Sequence, residues 1–291
     1  MTGYPPAVRG AVYMTLAALC WTAMMILVRA LGGGYSVFEI LFVRNLVTVA
    51  VIVPLLLRSA GAAFRTRRPG LHCTRVAFAY IGILGLFYGL LHIPVADVVA
   101  LSFTQPLFIA LLAAALLGEA VGLARWRAVA IGFAGVLVIL RPGFAEIGAA
   151  TLAVLASAAA YGASNICIKK LMTTDTPAQS TLYGNLLMLP LSALPAAFVW
   201  VTPGWWDALA MIGVGLGGMG GIYFVSRAYA AADASAVVPY DFLRLPLAAG
   251  AAWLLFGETS DVWMLAGAAI IFASSYALVR IEAREARTGA S

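Results

Sequence analysis

Charged residues are scarce in this chain of 291 residues, and their scarcity argues against a soluble protein. Asp, Glu, Lys and Arg make up 10% of the residues, whereas 63% are hydrophobic and the mean hydropathy is +0.98. A typical soluble domain carries about 25% charged residues. The net charge of +6 is spread over short segments between apolar runs and forms no single basic face, so we expect the lipid bilayer, and no nucleic acid, as a partner.

Cysteine and histidine are also rare, and their spacing predicts neither a metal site nor catalysis. The three cysteines lack a C-x-x-C motif, and we interpret them as buried apolar side chains: Cys20, Cys73 and Cys167. His72 and His92 lie near the ends of apolar runs, with Asp97 as the one carboxylate close in sequence. No Ser/His/Asp set or zinc-ligand motif occurs in the apolar runs. We therefore expect no enzyme, no cofactor and no bound metal.

The glycine-rich segment GVGLGGMGG, residues 213–221, contains the letters of a dinucleotide-binding motif. No strand precedes it and it lies inside an apolar run, which argues against a nucleotide site. Gly213, Gly217 and Gly221 instead recur every four residues and share one face of a helix. Small residues at this spacing let two helix backbones approach closely. We predict that this face packs tightly against a neighbouring helix.

Long apolar runs are abundant, and most are long enough to cross a membrane. A helix needs about 20 mostly apolar residues to do so, and these runs are uniformly apolar, unlike the alternating strands of a barrel. The fold class we predict is an all-α integral membrane protein. Its ten transmembrane helices would cover residues 10–31, 36–58, 74–92, 96–118, 126–141, 148–170, 178–201, 206–230, 234–256 and 261–281.

The cations between these spans predict the orientation of the chain. With a cytoplasmic N-terminus, 14 of the 18 Lys and Arg residues fall on the cytoplasmic side, and the outer side keeps Arg29 and Arg141. The remaining two, Arg44 and Arg244, lie inside spans. This is a strong positive-inside signal. It predicts a multi-pass protein of the cell inner membrane with both termini in the cytoplasm.

The second half of the chain repeats the first. The clearest matches are Trp21 with Tyr161 and Arg29 with Lys169, both 140 residues apart, and Glu119 with Glu258, 139 apart. We therefore divide the chain into two repeats of five helices, residues 1–145 and 146–291. An odd number of helices reverses the second copy, which gives the inverted repeats of secondary transporters.

Two quoted segments carry a resemblance to a known family. FTQPLFIALLAAALLGEAVGLARWRAVAIGFAGVLVIL (103–140) and PLAAGAAWLLFGETSDVWMLAGAAII (246–271) resemble the signature region of the ten-helix EamA-type transporters of the drug/metabolite transporter superfamily. Trp21 and Arg44 also stand where that family usually has an aromatic residue and an arginine. Within that superfamily the chain resembles the bacterial exporters of amino acids and related metabolites, which implies such a substrate.

The resemblance implies a central cavity lined by spans 1, 3, 4, 6, 8 and 9, where polar and aromatic residues concentrate. Our candidate substrate-binding residues on these spans are Trp21, Tyr80, Tyr88, Ser102, Gln105, Tyr161, Asn165, Tyr223, Tyr240, Asp241 and Arg244. Each has an alternative: an amide can join two helices by a hydrogen bond, and a tyrosine can anchor a helix at the interface.

The segment AVVPYDFLRLPL, residues 236–247, places Asp241 and Arg244 inside the ninth span between Pro239 and Pro246. At three residues apart the two charges can partly neutralise each other. Because the first repeat has no such pair, we interpret them as additions to one wall of the cavity, with a purely structural ion pair as the alternative. Asp241 is also the candidate carrier if protons are the coupling ion.

Other charged residues in or next to the spans have structural interpretations. Arg44 would reach the outer interface or hold the bundle through carbonyl groups. Glu119 and Glu258, at the ends of matching spans, would bond to loop amides.

The function we predict is secondary transport, the export of amino acids and related small metabolites by alternating access. Hydrophobic drugs, vitamins or nucleotide-like molecules are alternative substrates. A membrane-embedded enzyme or receptor is disfavoured, since it would leave the inverted repeat unexplained.

Overall fold

The computed structural model describes residues 5–57, 66–117, 122–141, 148–175, 177–232 and 234–288. These residues form twelve α-helices and, within these ranges, no β-strand. The helices are α1 Pro6–Ala30, α2 Val37–Leu57, α3 Pro69–His92, α4 Val95–Ser102, α5 Gln105–Leu117, α6 Leu123–Leu140, α7 Ala149–Leu171, α8 Pro177–Val199, α9 Trp205–Ala231, α10 Ala234–Asp241, α11 Arg244–Phe256 and α12 Val262–Thr288.

The twelve helices make the ten predicted transmembrane spans, because two spans are broken in the middle. Eight described segments are long and apolar enough to cross a membrane, and α2 and the α10–α11 pair fill the other two predicted spans. The predicted all-α membrane fold is therefore confirmed. Two boundaries differ from the predicted ones by five residues or more: α3 begins at Pro69, a residue suited to a first helical turn, and α12 continues into its charged end at Thr288.

The predicted transmembrane spans at 96–118 and 234–256 are each broken into two helices, and proline explains why. Each span consists of a helix of 8 residues followed by one of 13 residues. A proline ring clashes with the carbonyl four residues earlier and removes a hydrogen bond. For Pro106 that carbonyl belongs to Ser102, the last residue of α4. For Pro246 it belongs to Phe242, the residue after the end of α10.

Packing between helices follows the two repeats. The most extensive pairs are α1 with α9, α3 with α7, α6 with α12 and α2 with α8, and α4 also packs on α11. Counted as spans, these are 1 with 8, 3 with 6, 5 with 10, 2 with 7 and 4 with 9. Every pair joins one helix from each half, and exchanging the halves reproduces the same set. The arrangement agrees with two inverted five-helix repeats, although the predicted junction at 145/146 lies outside the described residues.

The predicted close packing along the α9 glycines is confirmed. A methyl group added to Gly213 would lie 2.7 Å from Leu27 Cδ1, and one added to Gly217 would lie 3.0 Å from the carbonyl oxygen of Cys20. At Gly221 the obstacle is the indole of Trp21. All three obstacles belong to α1, so the glycine face of α9 lies directly on α1.

We predict that Gly217→Leu separates α1 from α9 and destabilises the protein by about 1–3 kcal/mol or more, the usual cost of overpacking. Gly250→Leu is the matched control, since a methyl group at Gly250 would meet no atom within 4 Å. Thermal unfolding in detergent compares the two variants. Equal melting temperatures would contradict the close-packing interpretation.

Ionic contacts tie the ends of the helices together on the predicted outer side. Arg29 Nη2 lies 2.5 Å from Glu258 Oε1, and Arg29 Nη1 donates to the carbonyl of Leu90 at 3.1 Å. The second oxygen of Glu258 accepts a 2.9 Å hydrogen bond from the Val95 amide. Glu258 therefore bonds to a backbone amide, but this amide begins α4, whereas the sequence interpretation expected a loop amide. Glu119, its counterpart in the first repeat, lies outside the described residues.

A hydrogen-bonded cluster of polar side chains lies on the predicted cytoplasmic side. Asp175 accepts hydrogen bonds from the Thr66 hydroxyl at 2.5 Å and from His72 Nε2 at 2.8 Å. The imidazole of His72 is fully buried and stacks on Tyr183, with 4.7 Å between ring centroids. The Thr66 bond, followed by the His72 bond, lowers the pKa of Asp175. His72 thus joins α3 to the loop after α7.

We predict that Asp175 stabilises the protein at neutral pH and that this contribution is lost in acid. Its folded-state pKa lies below the unfolded value of about 3.9. The stabilisation is therefore complete above that value and disappears as the pH falls through it towards the folded pKa. Melting temperatures from pH 7 to pH 3 should fall less steeply for Asp175→Asn than for the wild type. Parallel curves would contradict this.

Candidate substrate-binding site

The two helix breaks meet inside the bundle. Phe103 follows the end of α4 and Phe242 follows the end of α10, and their ring centroids are 4.7 Å apart. The two residues are 139 apart in sequence, the same offset that relates the repeats. The carbonyl of Phe103, released by the break, accepts a 2.8 Å hydrogen bond from Ser275 of α12. The inverted repeats thus bring both breaks to one place.

Arg244 lies at this meeting point. Its guanidinium carbon is 5.0 Å from the ring centroid of Trp21 and 4.9 Å from that of Phe103. These distances are within the range of cation–π interaction. Because Trp21 belongs to α1 and Phe103 follows α4, this one side chain joins both broken spans to the first helix. An aromatic ligand has π surfaces and hydrogen-bond donors within reach here.

Asp241 and Arg244 face each other across the break in the ninth span. Asp241 ends α10 and Arg244 begins α11, so the pair does not lie on one continuous helix as the sequence suggested. Arg244 Nη2 and Asp241 Oδ2 are 3.4 Å apart. Asp241 Oδ1 and Arg244 Nε are buried and have no hydrogen-bond partner among the described residues.

The length of this contact distinguishes it from the structural ion pairs. Charge-assisted N–H···O hydrogen bonds measure about 2.7–2.9 Å. The Arg29–Glu258 and Arg141–Asp261 pairs are as short as 2.5 and 2.6 Å, whereas the Asp241–Arg244 pair is much longer. A loose pair with unused polar atoms can bind a ligand without losing an optimised bond.

Trp21 and Tyr161 occupy equivalent places in the two repeats. Trp21 of α1 lies on Gly221 of α9, and Tyr161 of α7 lies on Gly82 of α3, where an added methyl group would be 3.0 Å from the ring. Gly82 and Gly221 are 139 residues apart, close to the offset of 140 between the two aromatic residues. Both rings are half-buried. Glycine thus leaves room for one flat aromatic side chain in each half.

The other predicted residues fall into two groups. Tyr80, Ser102, Gln105 and Asn165 are half-buried within the bundle. Ser102 and Gln105 stand where the repeat offset of 139 places Asp241 and Arg244 in the other half, so the charged pair has neutral counterparts. The Ser102 hydroxyl donates to the carbonyl of Val98 at 2.7 Å, which is a contact within its own helix.

Three predicted tyrosines have exposed side chains: Tyr88, Tyr223 and Tyr240. Tyr88 stacks on His92 at 4.0 Å and lines a cavity of about 530 Å³ near the predicted outer side. Tyr223 contacts Phe224, and it is two residues from Gly221, so it points away from α1. Tyr240 directly precedes Asp241 at the end of α10, but its side chain is 41% exposed. The structure does not bring Tyr88 or Tyr223 to the helix breaks.

Comparison with known proteins gives the family. A model of the EamA-like transporter family matches the chain twice, over residues 8–141 and 148–280. The chain belongs to the EamA-like transporter family. It is therefore a multi-pass membrane transporter and not an enzyme. One match lies in each predicted half of this EamA-like transporter.

Three relatives match this EamA-like transporter almost from end to end. A riboflavin transporter of Rhizobium johnstonii is 36% identical, with 97% of this chain and 94% of the relative covered. A riboflavin transporter of Vibrio cholerae is 32% identical, with 96% and 95% covered. An S-adenosylmethionine uptake transporter of Rickettsia prowazekii is 26% identical, with 92% and 94% covered.

Sequence reasoning missed two aromatic residues of this EamA-like transporter, Phe103 and Phe242. The signal was present, because a phenylalanine stands three or four residues before Pro106 and Pro246 in the two matching spans. In an apolar run, however, a phenylalanine does not by itself indicate a binding site. The structure places both rings where the two repeats meet.

Proposed function

We propose that this EamA-like transporter carries a planar, uncharged heteroaromatic metabolite of the riboflavin type across the bacterial inner membrane. The observation that carries the proposal is the identity of 36% and 32%, over nearly the whole chain, to two proteins named riboflavin transporter. Transport would proceed by alternating access between the repeats, with both termini in the cytoplasm. The sequence contains no ATP-binding motif, so an existing gradient supplies the driving force.

The chemistry around Arg244 supports this substrate class. A flavin combines a flat ring system with an edge of carbonyl oxygens and a hydroxylated chain. The rings of Trp21 and Phe103 offer faces for stacking, the Arg244 guanidinium offers N–H donors, and Asp241 Oδ1 can accept from a hydroxyl or imide.

The charge of the interior argues against the cargo of the third relative. Arg44 and Arg244 contribute two positive charges to the described interior near this site, and Asp241 contributes one negative charge, which leaves a net charge of +1. S-adenosylmethionine carries a positively charged sulfonium, and burying it beside an excess of cations is unfavourable. The amino-acid export expected from sequence matches none of the three relatives' names, so we place a neutral heterocycle first.

Reconstitution into liposomes tests the proposal. Labelled riboflavin, S-adenosylmethionine and a mixture of amino acids are each presented to protein-containing and empty liposomes, with and without a pH gradient. We expect saturable uptake of labelled riboflavin. Excess unlabelled riboflavin should inhibit this uptake, and excess S-adenosylmethionine should not. Uptake of S-adenosylmethionine or amino acids without riboflavin would overturn the proposal. Stimulation by the pH gradient would identify the proton as the coupling ion, for which Asp241 is the candidate carrier.

A further inference from the structure

Arg44 of α2 is a cation inside the bundle whose side-chain hydrogen bond goes to a neutral amide. We infer that it is a second recognition point in the substrate site, where its guanidinium binds the carbonyl-bearing edge of a planar heterocycle. The identity of that heterocycle rests on the proposed function. The aromatic residues beside Arg244 would then stack on the ring system of the substrate, and Arg44 would recognise its carbonyl-bearing edge.

Arg44 and Trp21 both pack on α9, at glycines three residues apart. A methyl group added to Gly218 would be 3.3 Å from Arg44 Nε and 3.4 Å from Nη2. Gly221, on which Trp21 lies, is three residues further along, or about 4.5 Å at 1.5 Å per residue. The guanidinium and the indole therefore lie against neighbouring turns of one helix, and Met24 Sδ of α1 also lies 3.2 Å from the methyl position at Gly218.

Tyr161 is the second site residue near Arg44. Its phenol and the Arg44 guanidinium are close enough to interact electrostatically. Trp21 and Tyr161 are the equivalent aromatic residues of the two repeats, so Arg44 is close to one ring from each half. This places a cation where the two halves of the transporter come together.

The partners of Arg44 orient it without neutralising it. Its Nη1 donates to Asn45 Oδ1 at 3.0 Å, and Asn45 in turn donates to Ser192 of α8 at 3.1 Å. Arg44 forms no salt bridge with any carboxylate in the described part of the chain, and its buried Nε finds no acceptor there. The carbonyl contacts expected from sequence are replaced by this one neutral amide. A cation inside a membrane protein is costly without a partner, so a ligand that supplies acceptors would be bound favourably.

Arg75 of α3 shows what a structural arginine looks like in the same bundle. Its Nη1 donates to the carbonyl of Ser180 at 2.5 Å, and its side chain fills the space beside Gly184 of α8. Arg75 therefore joins two helices through a backbone carbonyl, whereas the hydrogen bond of Arg44 goes to the side-chain amide of the next residue in its own helix. The Nε atoms of both arginines are buried without an acceptor among the described residues. The planar guanidinium presents parallel N–H groups that match two oxygens, which a lysine ammonium cannot do.

The test combines a change in the ligand with a change in the residue. Purified protein in detergent is titrated with riboflavin and with 3-methylriboflavin, whose methyl group blocks the edge between the two carbonyls, and flavin fluorescence reports binding. The wild type should prefer riboflavin at least tenfold. Arg44→Gln should lose most of that preference, and Arg44→Lys should keep the fold and bind riboflavin about tenfold more weakly.

Arg75→Gln is the matched control, because it removes an arginine of the same bundle that bonds to backbone. We expect it to melt at a lower temperature and to keep the preference for riboflavin. If Arg44→Lys or Arg44→Gln retains both the wild-type affinity and the preference, the inference is wrong. If the wild type binds neither flavin, the proposed function fails instead, so the two failures are distinguishable.

Discussion

Exchanging the two charges at the helix break, Asp241→Arg together with Arg244→Asp, should give a folded protein that transports riboflavin about 100-fold less efficiently. The exchange keeps a salt bridge between the same two positions but moves the guanidinium away from Trp21 and Phe103. A hydrogen bond to a charged group contributes about 1.5–3 kcal/mol, and each 1.4 kcal/mol corresponds to a factor of ten. Initial rates in liposomes measure the loss, and size-exclusion chromatography checks the fold.

The Arg141–Asp261 pair provides the matched control for this exchange. It is a short ion pair of 2.6 Å at the surface, with side chains 36% and 48% exposed. Exchanging those two charges should leave riboflavin transport within about twofold of the wild type, because surface pairs contribute little. If the Asp241/Arg244 exchange also leaves transport intact, the pair is structural and the proposed site is misplaced.

Sequence alone could predict the architecture because the membrane imposes it. Ten apolar runs, the positions of the cations and the repeat offsets of 136–140 are all visible without coordinates. The breaks after Ser102 and Asp241 were not predicted. A proline inside a transmembrane helix can produce a bend as well as a full break, and the packing of neighbouring helices decides between them.

In the candidate site, the repeat identified residues that the structure places equivalently, whereas residue type alone did not. Trp21 and Tyr161 match across the repeats, and the structure gives both the same contact with a glycine. Tyr88, Tyr223 and Tyr240 were chosen by residue type. In a transmembrane helix the lipid-facing side and the buried side are both apolar, so the periodicity that marks the inner face of a soluble helix is lost.

Arg44 shows a different limit of sequence reasoning. The family resemblance made the second span peripheral, and an arginine in a peripheral helix was assigned a structural role. The structure shows that α2 packs on both α8 and α9, so a long side chain from α2 reaches Gly218. Reach across a neighbouring helix depends on tertiary packing and cannot be deduced from the order of the spans.

Glu258→Gln should destabilise the protein more than any single substitution at a surface charge, by about 3 kcal/mol. The carboxylate makes two contacts with the Arg29 guanidinium, at 2.5 and 2.6 Å, and accepts a hydrogen bond from the Val95 amide. Its side chain is 11% exposed. Breaking one partner of a buried pair leaves the other charge uncompensated and costs about 3–5 kcal/mol, and the 23% exposure of Arg29 moves the expectation to the lower end.

Thermal unfolding in detergent compares Glu258→Gln with Asp261→Asn, which breaks the exposed pair with Arg141 and should cost less than about 1 kcal/mol. The double variant Arg29→Met with Glu258→Leu should recover much of the lost stability, because it removes both charges and leaves neither one buried alone. Recovery would show that Glu258 acts mainly by compensating Arg29. If the double variant is no more stable than Glu258→Gln, Glu258 acts mainly through the hydrogen bond that it accepts from the Val95 amide at the start of α4.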